Sequence, residues 1–164
     1  MPIDRAFSRR AGFQAYLIAA FSLVYAVVFL GFVLGEGIVI LTFALMLSTR
    51  LAGMVGGVIA ATLFGIAWMG GIVGGVGAAF NNATISNVGT LTKLILPTDG
   101  LWRGAVWSLE PSIVITAQSQ LGPAVAANPF FAAAPPPAAY VIWAIAWIAA
   151  MLLLAVWSFR SREV

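Results

Sequence analysis

Apolar side chains in this chain come in long unbroken runs, without the alternation of a half-buried strand or the one-sided stripe of a helix on a soluble core. Between Arg10 and Arg50 stand 39 residues with a single charge, Glu36. One helix of that length would extend about 58 Å, nearly twice the roughly 30 Å hydrocarbon thickness of a bilayer. Two spans fit the length, so the pattern predicts a helical hairpin over about 12–31 and 35–49, turning near Gly31, Gly35, Glu36 and Gly37. Glycine permits the reversal there, and the carboxylate can reach water.

A third run, Leu51 to Val76, holds 26 uncharged residues and is closed by Gly77, Asn81 and Asn82. It predicts one tilted span over about 51–76. The last run, Ala138 to Phe159, has 22 residues, preceded by Pro135, Pro136 and Pro137 and followed by Arg160 and Arg162. At about 33 Å it matches a bilayer. Tyr140, Trp143 and Trp157 lie near its ends, where aromatic side chains favour the interface, while Trp147 is deeper and is expected against a neighbouring helix. The pattern therefore predicts an all-α integral membrane protein with four transmembrane helices, the first two as a hairpin, in one domain spanning 1–164.

The connection 78–137 is predicted to lie outside the membrane. Within it, VGTLTKLILPTDGLWRGAVWSLEP carries most of the outward charge. Pro97 ends what precedes it, Thr98 or Asp99 can cap a new helix, and Leu101, Ala105 and Leu109 recur at helical spacing. A short amphipathic outer helix over about 100–109 follows, with Asp99 and Arg103 four apart and Trp102 and Trp107 at the membrane surface. It either rests in the headgroups or forms a lid, an outer gate made by Asp99, Trp102, Arg103 and Glu110. Gln118, Ser119, Gln120 and Pro123 interrupt the segment after it, so no fifth span is expected.

Nine glycines fall between residues 53 and 77. Gly53 with Gly57, Gly70 with Gly74, and Gly71 with Gly75 repeat at intervals of four, which lets another helix backbone approach closely. Plain helix packing and a helix able to bend or slide at an interface both fit this spacing.

Composition limits the chemistry. Of 164 residues 62% are hydrophobic and 8% charged, and Cys and His are absent; mean hydropathy is +1.05. Thirteen charged side chains cannot cover a soluble surface. Thiol nucleophiles, disulfides, Cys/His metal sites and Ser–His pairs are ruled out, so no catalytic residue, metal or cofactor is expected and the chain is read as a non-enzyme. The net charge of +3 does not indicate nucleic acid, because the cations sit at the ends of apolar runs and are not interleaved with aromatic residues.

Their distribution sets an expected orientation. With four spans Arg5, Arg9, Arg10, Arg50, Arg160 and Arg162 share one side, six of the eight cations, leaving Lys93 and Arg103 opposite. With three spans the split is three against five. The positive-inside rule then favours four spans with both termini cytoplasmic in a plasma membrane of bacterial type. The first apolar run is too long for a signal peptide and has no small-x-small cleavage site.

PIDRAFSRRAG, LMLSTRLAGMVGG, LILPTDGLWRGAV and WSFRSREV together resemble the permease subunits of ATP-binding-cassette transporters of the type 2 exporter class, over the last four of that family's six spans. The segment PTDGLWRG is the least generic of these pieces. The resemblance implies the membrane half of an exporter, working with a second permease chain and driven by a separate cytoplasmic ATPase subunit. It implies an ATPase-coupling segment at Asp4, Arg5, Arg9 and Arg10 and closure of the exit by the outer helices. The alternative, from the pattern alone, is a small structural or assembly subunit of a larger membrane complex.

Overall fold

In the computed structural model the described residues run from 3 to 161, with side chains described from residue 13, that of Pro123 excepted. The side chains of Asp4, Arg5, Arg9 and Arg10, and all of Arg162, lie outside that range. The order is α1 (Ile3–Ser48), α2 (Gly53–Ala79), α3 (Ala83–Ile95), α4 (Asp99–Leu109), α5 (Ser112–Ser119), a 3-10 turn (Pro123–Ala127) and α6 (Ala138–Arg160). Three of these, over Phe13–Ser48, Gly53–Ala79 and Ala138–Arg160, are long and apolar enough to cross a membrane, which makes this a helical membrane protein.

The expected hairpin does not form. Residues 31–37 are continuous helix, and among the described residues the one glycine with positive φ is Gly122. The reason is that glycine permits a reversal without compelling one. No proline interrupts the stretch, and in an apolar medium a broken helix leaves backbone groups without partners, whereas a glycine inside a helix costs only about 1 kcal/mol relative to alanine. Packing also favours continuity, because α4 lies across this part of α1. Leu101 sits over Gly35, and Gly104 leaves room for the Phe32 ring. With α1 unbroken, the charge distribution that favoured four spans has lost its premise.

The 46 residues of α1 extend about 69 Å, and its two halves have different surroundings. The carboxyl-terminal half is the hub of the bundle, touching α2, α4 and α6. Its Val39 is fully buried in a cluster with Ala67, Leu96, Leu101, Ala144 and Trp147, and Phe43 meets Trp147 at a ring-centroid distance of 6.0 Å. The other half runs past the bundle, leaving Phe13, Tyr16, Ile18 and Phe21 more than 60% exposed.

At one end of the bundle the α1–α2 turn is tied to the end of α6. Arg50 Nε donates to Ser158 Oγ at 2.7 Å and Nη2 donates to Ser161 Oγ at 2.8 Å, while Thr49 Oγ1 lies 2.8 Å from Ser158 Oγ. Small residues in α2 then let three other segments approach it. Gly70 faces Thr92, Gly71 faces the Asp99 carboxylate, Gly75 faces the Ala126–Ala127 backbone, and a Cβ on Gly74 would stand 2.9 Å from the Cα of Gly89. Gly53 and Gly57 instead face open space, and the close approach near that end belongs to Gly56, against Ser48.

The chain's lack of cysteine permits a direct distance test of α1. Val27 and Leu41 are both exposed, and spin labels on a V27C/L41C variant are expected about 21 Å apart along a continuous helix. A hairpin turning at 31–37 would bring them to about 10 Å, the usual spacing of packed helices.

Candidate functional site

The polar centre of the molecule is assembled by α3 and α4, the two helices between the second and third apolar spans. Asn82, which closes the preceding run, also opens α3: its side-chain oxygen accepts the Ile85 N–H at 3.2 Å. Pro97, which cannot continue a helix, follows the end of α3, and α4 starts at Asp99. The two helices are thus separated by three residues, which brings Lys93 of α3 to the first turn of α4.

Lys93 Nζ lies 3.1 Å from Asp99 Oδ2, and Arg103 Nε lies 3.2 Å from the same oxygen. The Asp99 side chain is wholly buried, while those of Lys93 and Arg103 are 30% and 17% exposed. A carboxylate without solvent is costly unless cations and hydrogen bonds replace its hydration, and here two cations share one acid. Asp99 also stands at the helix start, where the positive end of the backbone dipole favours a negative side chain. Arg103 Nη1 donates further to the Phe131 carbonyl at 3.3 Å.

The other expected gate residues tie α4 to the chain that follows the 3-10 turn. Trp102 Nε1 donates to the Pro129 carbonyl at 2.8 Å, and Trp102 meets Phe130 edge-on at 6.0 Å. Glu110 Oε2 accepts the Ala132 N–H at 3.2 Å. Asp99, Trp102, Arg103 and Glu110 therefore form one set of links between α4 and residues 129–132, with Asp99 and Arg103 paired directly and the others acting through the backbone. Among the described residues two buried polar atoms have no partner, Thr98 Oγ1 and Arg103 Nη2.

Three participants carried no signal in the amino-acid pattern. Lys93, an outward charge by its position in the sequence, supplies half of the counter-charge to Asp99. Tyr140, placed at the interface by its position near a helix end, accepts the Gly100 N–H through its hydroxyl at 3.2 Å, and its ring fills the space left by the missing Gly100 side chain. Glu36, expected in a turn, lies within α1 beside a groove shared with Trp68, Trp102 and Phe130.

Beside the triad opens a cleft of about 630 Å³, walled by Lys93, Arg103, Tyr140 and residues from the 3-10 turn and the 131–137 segment. Among the described residues no group of three carboxylates is placed to hold a metal ion. No family model, curated protein or solved structure matches this chain.

Two substitutions separate the energetics of this centre. D99N leaves both cations beside an uncharged amide and is expected to lower stability by roughly 3 kcal/mol. T98V replaces an unbonded buried hydroxyl with a methyl group and should raise stability by about 1 kcal/mol. Denaturant unfolding in one detergent, followed by tryptophan fluorescence, measures both.

Proposed function

We propose that this chain is a membrane-spanning permease subunit of an ABC-type exporter, contributing to a substrate pathway and driven by a separate ATPase subunit. The observation that carries the reading is the ion-paired latch built from PTDGLWRG: Asp99, sealed between Lys93 and Arg103, holds α4 over the glycine face of α2 beside the 630 Å³ cleft. Asp99, Trp102, Arg103 and Glu110 are the outer gate, opened by exchanging these links for others.

In this proposal the Arg50 turn and the end of α6, clamped together by Ser158 and Ser161, form the rigid end on which an ATPase can push. Because α1 is one continuous helix, Asp4, Arg5, Arg9 and Arg10 stand at its far end from the Arg50 turn and are not proposed as part of this coupling end. A second permease chain completes the pathway. The runner-up is an assembly subunit of a larger membrane complex, and the exposed amino-terminal half of α1 favours it, since a helix with no partner of its own chain is suited to docking.

Co-purification decides between them. Tagged chain from its native membrane is expected to bring down a soluble-type ATPase with a phosphate-binding loop, and R50Q is expected to weaken that capture several-fold. Recovery of large membrane subunits with no ATPase would leave the assembly reading in place.

A further inference from the structure

The walls of the 630 Å³ cleft differ sharply in character. Most of its lining is apolar: Val125, Ala126, Phe131 and the run from Ala132 to Pro137. The charged side chains on it are Lys93 and Arg103, with no carboxylate. Those two cations also line a second, smaller recess of about 230 Å³, whose other walls include Ser86, Thr90 and Gly74. Cleft and recess therefore meet at Lys93, Arg103 and Ala126. A mostly apolar trough adjoins a small polar recess, with two positive charges where they meet.

Charge and hydrogen-bonding capacity favour an anion at that junction. Lys93 and Arg103 share one buried carboxylate, Asp99, which lies off both walls. Glu110 is also off the walls and is engaged by the Ala132 N–H. The ammonium group of the partly exposed Lys93 has three donors, of which the Asp99 contact uses one. An oxyanion head would take up this spare capacity, and charge-assisted bonds of this kind are about twice as strong as neutral ones. The trough has the volume of a small-ligand site, about 300–1,000 Å³, and three consecutive prolines in its wall restrict that backbone and so reduce the ordering cost on the protein side.

We infer that the cleft between Lys93, Arg103 and the 125–137 wall binds a single-headed amphiphilic anion, its carboxylate or phosphate at the two cations and its hydrocarbon chain along the trough. The site rests on the cleft and its charges and does not depend on the transport reading. Such a ligand is either a free fatty-acid-like molecule or an acidic bilayer lipid, since both present the same head and tail.

The test uses the purified full chain in an uncharged maltoside detergent, without any ATPase, so that a failed transport reading leaves it untouched. Tritiated palmitate is expected to bind saturably and hexadecanol, which has the tail but no charge, is expected not to compete. K93Q leaves Asp99 paired with Arg103 and should weaken palmitate binding by about tenfold, the loss of one charge-assisted bond. A134W changes no charge and fills the trough from an exposed position, so it should abolish binding even if K93Q folds poorly. Competition by phosphatidylglycerol identifies bilayer lipid as the source of the head, and its absence identifies a free amphiphile; either supports the site. Non-saturable binding, equal competition by hexadecanol, or unchanged affinity in folded A134W would overturn it.

Discussion

Everything around the polar centre follows from one requirement: the Asp99 carboxylate is fully buried, so its charge has to be answered on the spot. Two cations do this, and they come from different helices. Lys93 must be delivered by α3, which therefore has to run close along α2 and end near the start of α4. Arg103 comes from one turn further along α4 itself. The space for the carboxylate is made by Gly71, where any side chain would collide with it. The same electrostatic demand thus fixes the length of α3, the short Leu96–Thr98 link and the glycine at 71.

The glycines of α2 extend this logic along the helix. In a membrane, helices gain little from removing apolar surface from water, so close van der Waals approach and polar contacts hold them together. Gly74 against Gly89 lets two backbones touch, and Gly75 takes the 3-10 turn in the same way. Those contacts position the turn, and the chain beyond it carries the carbonyls of Pro129 and Phe131 that Trp102 and Arg103 use. Backbone packing on α2 and side-chain bonding on α4 are therefore two faces of a single arrangement.

How much of this was legible in the sequence differs from element to element. The Ala138–Phe159 run needed only its length and flanks, and the helix that forms there ends one residue beyond it. The pairing of Asp99 with Arg103 follows from a spacing of four. By contrast, the unbroken α1 was missed because three glycines and a carboxylate look like a turn when only local preferences are weighed. What decides that stretch is the packing of Leu101 and Gly104 against it, contacts from some seventy residues away. Helix α3 was missed for a different reason. Asn82 was read as the end of a span, although the side chain that stops one helix can cap the next. The roles of Lys93 and Tyr140 are products of tertiary placement and leave no local trace.

The unaccompanied half of α1 has a consequence for the isolated molecule. An apolar rod that leaves the bundle and continues for about 30 Å needs its own amphiphile coat once the bilayer is removed. The extracted particle is then far from spherical, with a detergent collar along a protruding shaft as well as around the bundle. Its hydrodynamic radius overstates its mass, and a monomer of 17.2 kDa migrates as something considerably larger. Subunit counts for this protein therefore have to come from mass itself, by light scattering or native mass measurement, and not from elution position.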